Sequence, residues 1–369
     1  MQPYFVKAYG NASSLNSFGV EAKRALKDSR ETIAEFMNAD SDEVVFTGSA
    51  TEANNLALKG HAFERGKEKC HIAVSSVEHD CILNSARWLE KQGFRVSYLP
   101  VDPYGLIRMD ALEKVLDEEA TLVSVVHGNN EIRTVQQIET ISRKCHEHGA
   151  LFHTDAVQSF GKLPLDVKEM SIDLMTVNAH KLYGPKGVGA LYINSGLRIE
   201  PLIHGGGHEF GLRSGTENVP GIVGFAKTVE LRKEEREPEA KRLASLRDEL
   251  IEGVLEIEDA YLNGHPTKRL PNNASLRFSY IEGEAVVLRL DTKGIAASSG
   301  SACSTGSGEP SHVLLAIGLQ PEEARGSLRL SLGKYNTKED IEYILQVLPE
   351  IIEKLRAMSP LTPTTKRPR

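Results

Sequence analysis

The sequence predicts an α/β fold, with a mainly parallel sheet flanked by helices and a smaller α/β domain after it. Three observations carry this. Short runs of apolar and β-branched residues recur at intervals of about one strand-plus-helix unit. Polar residues collect where those runs end, which is where open parallel sheets bind ligands. A strongly charged helical stretch, Leu231 to Ile257, then separates these runs from a second, shorter set. With 369 residues, 40% of them hydrophobic, the chain has enough apolar material for a large core and two domains. The expected division is 1–230, 231–360 and a disordered basic tail, 361–369.

Taken in order, Tyr9 to Gly19 reads as a turn-rich loop and Val20 to Met37 as a helix, with Ala22, Ala25, Leu26, Ile33 and Phe36 on one apolar face. A strand at Glu43 to Phe46 runs into Thr47-Gly-Ser-Ala-Thr-Glu and a helix. Small residues and a hydroxyl at such a turn suit a phosphate, and they suit a plain Ser/Thr helix cap equally well. Further strands are expected at His71–Val74, Val96–Pro100 and Leu122–Val126, with Glu78-His79 and His127-Gly-Asn-Asn-Glu131 just beyond two of them. Asn130 reads either as a site residue or as the cap of a helix starting near Thr134.

The central stretch, Ala150 to Ile193, supplies three more strands. One reaches Asp155, the next leads through Asn178 into His180-Lys181, and Val188 to Ile193 follows a Gly-Pro-Lys-Gly turn. An acid and an amine at neighbouring strand ends are compatible with an ion pair. They are equally compatible with a Schiff-base lysine and the aspartate that faces a pyridinium nitrogen.

Ile203 to Asn218 is too rich in glycine for regular structure and too long for a simple turn. Pro238 is expected to break the charged helix. Beyond it, strands near Ala274–Phe278 and Ser327–Ser331 and helices near Glu284–Leu290 and Lys338–Met358 make the second domain. Ala296 to Pro310 reads as a mobile loop carrying one thiol, Cys303, while Cys70, Cys81 and Cys145 sit in or beside regular elements and read as small hydrophobes.

Several classes are disfavoured. A net charge of -7 gives no basic field for nucleic acid, and no apolar run approaches a membrane span. The start lacks the parts of a signal peptide, so the expected compartment is the cytoplasm. Four cysteines without a CxxC pair argue against a disulfide framework or a metal site.

Together Ala50-Thr-Glu52, Glu78-His79, Asn129-Asn-Glu131, Asp155-Ala-Val-Gln158, His180-Lys181, Arg213-Ser-Gly-Thr216, Ser299-Gly-Ser-Ala-Cys303 and Leu328-Arg-Leu-Ser-Leu332 resemble the cysteine desulfurases of iron–sulfur cluster assembly. These belong to the aspartate-aminotransferase-like group of pyridoxal 5'-phosphate enzymes. The resemblance implies that Lys181 holds the cofactor and moves the substrate Cα proton, that Asp155 pairs with the pyridine nitrogen, and that His79 stacks on the ring and transfers protons. Gln158 and Asn130 would hydrogen-bond the phenolic oxygen and the substrate side. Ala50, Thr51, Asn178 and His180 would hold the phosphate, with Thr216 reaching it from the partner of a homodimer. Arg329 would clamp the carboxylate of L-cysteine. Cys303 would take the sulfur as a persulfide for an iron–sulfur scaffold protein, with a transient cluster-ligand role open to it.

This chain departs from the family pattern in places. It has Gly48-Ser49 for Ser-Gly, Arg133 for Gly and Asn178 where Ser is common, and it begins after the usual N-terminal strand, so lower turnover with free cysteine is expected. A selenocysteine lyase or an aminotransferase of the same fold, or a scaffold-docking protein with impaired catalysis, are the alternatives; an aminotransferase has no use for the loop thiol.

Overall fold

The computed structural model describes residues 1–300 and 309–363, which form two compact units. The first comprises Met1–Leu99, Arg108–Gly128 and Gln136–Arg236, and the second Pro100–Ile107, Asn129–Val135 and Glu237 onward.

In the first unit α1 (Pro3–Val6) and α2 (Ser17–Phe36) precede β1 (Val44–Thr47) and α3 (Ala50–Arg65). Then follow β2 (His71–Ser75), α4 (Asp80–Lys91), β3 (Arg95–Leu99), α5 (Met109–Asp117), β4 (Leu122–Ser124) and α6 (Ile138–Glu147). β5 (Leu151–Asp155), β6 (Leu174–Asn178) and β7 (Gly189–Ile193) complete a sheet of order β1-β7-β6-β5-β4-β2-β3. Its neighbours pair in parallel except that β7 runs antiparallel to both β6 and β1. β2, β4, β6 and β7 are buried along their whole length, as their unbroken apolar runs require of strands covered on both faces. α2 starts where the Asn16 side chain accepts the Gly19 N–H at 3.0 Å, and it buries Ala22, Ala25, Leu26, Ser29 and Ile33, one helical stripe.

α7 (Val219–Leu255) is one continuous helix through Pro238, where the sequence predicts a break. Proline removes one N–H and crowds the carbonyl four residues back. Pro238 and Glu234 are both exposed, so water can take that carbonyl. The helix expected near Thr134 is absent: Thr134 bridges to Arg269 as extended chain, and α6 starts at Ile138.

The second unit holds β8 (Ala260–Leu262), β9 (Asn273–Phe278), α8 (Gly283–Asp291), β10 (Ser298–Ser299), α9 (His312–Ala316), α10 (Pro321–Arg325), β11 (Ser327–Ser331) and α11 (Lys338–Met358). Its sheet is antiparallel, in the order β10-β11-β9-β8. Leu276, Phe278 and Leu328 from the sheet pack with Val286 of α8 and Ile341 and Leu348 of α11. β10 lies inside the stretch read as a loop; residues 301–308, Cys303 among them, lie outside the described residues.

Leu276 is fully buried at the centre of that core. Leu276→Ala is expected to cost about 3 kcal/mol, seen as a lower denaturation midpoint. A loss below about 1 kcal/mol would mean that this core is not close-packed.

Candidate active site

In the first unit the predicted residues gather past the carboxyl ends of parallel strands. Asp155 ends β5, and the adjacent β6 ends at Asn178, three residues before Lys181. The turn after β6 is held locally. Leu182 and Gly184 both donate their N–H to the Ala179 carbonyl, at 2.9 and 3.0 Å, and Asn178 Oδ1 accepts the Lys181 N–H at 3.3 Å. Tyr183 closes the turn in the left-handed region at φ 68°, and Gly184 is required because a Cβ would lie 2.9 Å from Ala179 Cβ. Lys181 and His180 are exposed on this turn. Partial burial, then the charges of Lys181, Lys186 and Lys162, hold the His180 pKa below its ordinary value.

Asp155 is only 5% exposed. Its Oδ1 accepts the Val157 N–H at 2.9 Å and its Oδ2 the Asn54 side-chain N–H at 2.7 Å. Burial pushes its pKa up, while the Val157 and Asn54 bonds and the His79 ring pull it back. His79 caps α4: its Nδ1 accepts the Cys81 N–H at 3.2 Å, so a neutral ring carries its proton on Nε2. Gln158, half-buried, follows Asp155, and its backbone carbonyl accepts from Lys162 Nζ at 2.8 Å.

The turn from β1 into α3 carries the Ser/Thr cap. Ser49 is the helix cap, its hydroxyl taking the Glu52 N–H at 3.1 Å, and Gly48 N–H donates to Glu52 Oε2 at 2.9 Å. Ala50 and Thr51 open α3, where backbone N–H groups and the dipole favour an anion. Gly189 of β7 passes so close that a Cβ would lie 2.9 Å from the Ser49 carbonyl carbon and 3.0 Å from the Ala50 nitrogen.

The glycine-rich loop is tied down at two points the sequence did not announce. Buried Glu209 makes a two-pronged pair with Arg30, both oxygens at 2.7 Å, and accepts the Phe46 N–H at 2.7 Å. It does so with Glu209 and Phe210 in the left-handed region, at φ 48° and 59°, a strained pair of the kind that functional loops retain. Arg213 Nε then binds Glu52 Oε1 at 2.8 Å, and Thr216 beyond it is exposed.

The second unit carries the other predicted residues. Arg329 of β11 donates from Nη1 to the Asn130 carbonyl at 3.0 Å. Asn130 caps no helix, and its Oδ1 is buried without a hydrogen-bond partner. Its neighbour Asn129 shapes the turn, with Oδ1 accepting the Glu131 and Ile132 N–H groups at 2.7 and 2.9 Å. Arg133, where the family pattern has glycine, sits at φ 65° and is buried. Burial first, then the charges of Arg329 and Arg269, push its pKa down to about 9.

Over residues 1–344 the chain matches the family described as aminotransferase class-V. The chain belongs to the class-V aminotransferase family. Class-V relatives include cysteine desulfurase IscS 1 of Archaeoglobus fulgidus, 51% identical over 98% of this chain and 94% of its own length. The cysteine desulfurase IscS of Methanosarcina thermophila is 49% identical over 100% of this chain and 91% of its own. Among solved structures, a NifS-like protein of 38% identity superposes with a TM-score of 0.90 over 96% of this chain and 94% of its own. Another, described as SspA in complex with cysteine, gives 0.79 at 40% identity, over 91% and 94%.

His127, past the end of β4, is buried with Nδ1 2.9 Å from Ser159 Oγ, and burial pushes its pKa down to about 4. Between pH 6.5 and 4 the unfolded chain therefore binds a proton at His127 that the fold refuses. Stability should fall as pH falls through this window, by about 1.4 kcal/mol per unit from this group. Urea denaturation of His127→Gln should show a slope shallower by about one proton; an unchanged slope would refute the neutral assignment.

Proposed function

We propose that this class-V family member is a pyridoxal 5'-phosphate-dependent cysteine desulfurase, converting L-cysteine to L-alanine and passing the sulfur to Cys303. The observation that carries the reading is the buried carboxylate of Asp155 at the end of one parallel strand, with Lys181 just past the end of the next. The cofactor fits two further features of the first unit: the N-terminus of α3 for a phosphate and the glycine at 189 that leaves room beside that turn. The compartment we infer is the cytoplasm; among the described residues no helix is long and apolar enough to cross a membrane.

When bound, the cofactor supplies a carbonyl carbon for the amine and a ring that accepts electrons from Cα. Asp155 holds the ring-nitrogen proton, and His79 presents its Nε2–H beside it. Lys181 Nζ binds the cofactor and takes the Cα proton. Thr51, Ala50, Asn178 and His180 hold the phosphate, Gln158 and Asn130 orient the ring and the substrate, and the Arg329 guanidinium binds the substrate carboxylate through two N–H groups. The Cys303 thiolate would attack the substrate sulfur; the Cβ–S bond breaks with its electron pair left on carbon, Cβ takes a proton, and return of the proton from Lys181 Nζ to Cα completes alanine. The persulfide is then delivered to an iron–sulfur scaffold protein.

A two-fold homodimer completes the reading, with Thr216 reaching the partner's phosphate. Phe5, Tyr9, Leu15 and Phe18, 50 to 99% exposed, are the kind of apolar surface that an interface covers. Sedimentation at micromolar concentration should give a dimer, and a cofactor-loaded monomer would overturn the composite site.

Borohydride reduction and peptide mapping should place a pyridoxyl adduct on Lys181 and none in Lys181→Ala. An adduct on another lysine sinks the assignment. Cys303→Ser should still shift the cofactor spectrum with cysteine, while alanine release falls to background. Alanine at the wild-type rate from that variant would leave a lyase or an aminotransferase.

A further inference from the structure

We propose that Asn54 is a positioning residue for the cofactor-facing carboxylate, its side-chain amide fixing Asp155 for the pyridine N–H and, through its second hydrogen, the Cys81 thiol beside His79. The inference rests on the pyridoxal phosphate reading and goes beyond it by assigning a role to two residues outside the site motifs.

Asn54 is fully buried on α3, four residues after Ala50 and three after Thr51. Its Nδ2 lies 2.7 Å from Asp155 Oδ2 and 3.1 Å from Cys81 Sγ. An ionised carboxylate only accepts, so the amide must turn its NH₂ end toward Asp155, and both hydrogens are thereby used. The opposite end carries a cost. Asn54 Oδ1 is buried with no hydrogen-bond partner, a penalty of about 1–3 kcal/mol that leucine at the same volume would avoid. The two donor contacts, to Asp155 and to Cys81, are what Asn54 contributes against that cost.

The two bonds to Asp155 act from different directions. Val157 N–H comes from the chain two residues on and holds Oδ1, whereas Asn54 reaches Oδ2 from another element. Together they fix the plane of the carboxylate, and each oxygen keeps a lone pair for a further donor. They also oppose the burial that pushes Asp155 toward its neutral form.

The second arm runs to His79. Burial and then the nearby Asp155 push the Cys81 thiol up to about 12, so it is neutral, with a hydrogen to donate. Its sulfur accepts from Asn54, and its S–H faces His79 Nδ1 at 3.1 Å, the atom that also takes the Cys81 backbone N–H. One amide thus orders the group that faces the ring nitrogen and the group expected to stack on the ring.

The test uses full-length apoprotein and equilibrium binding of two compounds: pyridoxal 5'-phosphate and its analogue with a ring C–H in place of the nitrogen. Wild type should prefer the true cofactor. Asn54→Leu takes a donor from a buried carboxylate and should melt lower than wild type, and it should lose about tenfold of that preference while its affinity for the analogue changes less than threefold. Asn54→Ser, which admits water, serves the same comparison if leucine does not fold. Cys81→Ala should keep the preference within about twofold, since it removes only the arm toward His79. The assignment is overturned if Asn54 variants keep the preference, if both compounds lose affinity equally, or if Cys81→Ala loses the preference as well. A wild-type chain that binds neither compound would instead remove the cofactor reading itself.

Discussion

The constraint on which the site depends is the burial of a charge. Asp155 sits almost out of reach of water at the end of a central strand, where an isolated carboxylate would take up a proton. It has two N–H donors, from Val157 two residues on and from Asn54 on a helix packed against the sheet. The parallel register of β4, β5 and β6 delivers His127, Asp155 and Asn178 to one edge of the sheet, and hydrogen bonding from Val125 and His127 to β5 extends the pairing past the end of β4. Sheet geometry therefore brings the groups together, and the two donors to Asp155 work against the burial that pushes it toward its neutral form.

The reversed strand β7 is the second element of this arrangement. It inserts between β1 and β6, and Gly189 at its start lets it run almost in contact with the turn into α3. Ser49 caps α3 through a lone pair of its hydroxyl, which accepts the Glu52 N–H and leaves the O–H hydrogen free to donate. Glu52 joins the same turn to the glycine-rich loop through Arg213, and Glu209 anchors that loop on α2 and β1. The loop is rich in glycine, yet its two left-handed non-glycine residues are held by one buried ion pair.

Much of this was legible in the sequence. Strand periodicity places the seven strands of the large sheet within a residue or two at most ends, and most clearly where the strands are buried along their length and leave apolar runs. The ends of β11 and α11 were read correctly. Features that rest on distant contacts were not legible. The Asn54–Asp155 bond spans 101 residues and the Arg30–Glu209 pair 179, and neither leaves a local pattern. The sequence predicts a break at Pro238 that the helix does not show, because a proline rule cannot tell a buried helix face from a wet one. Asn130 was offered as a helix cap because the chain after it resembles a helix start; it is extended there, and Asn129 makes the turn. At position 133 the difference from the family pattern was visible, but not that the backbone there takes a left-handed turn that arginine adopts only under strain.

Ala50, Thr51 and Asn54 lie within five residues of one helix, so the spacing between the helix N-terminus and the contact to Asp155 is set by helical rise, about 1.5 Å per residue. This makes the first turn of α3 a gauge. A substitution elsewhere on the helix can be absorbed by repacking, but one inserted or deleted residue between Ala50 and Asn54 would rotate one end against the other by about 100°. The amide would leave the carboxylate, and the N-terminal end of the helix would stay where it was. Length variation among descendants of this chain should therefore be tolerated in the surface loops and refused in these five residues, whatever the side chains around them become.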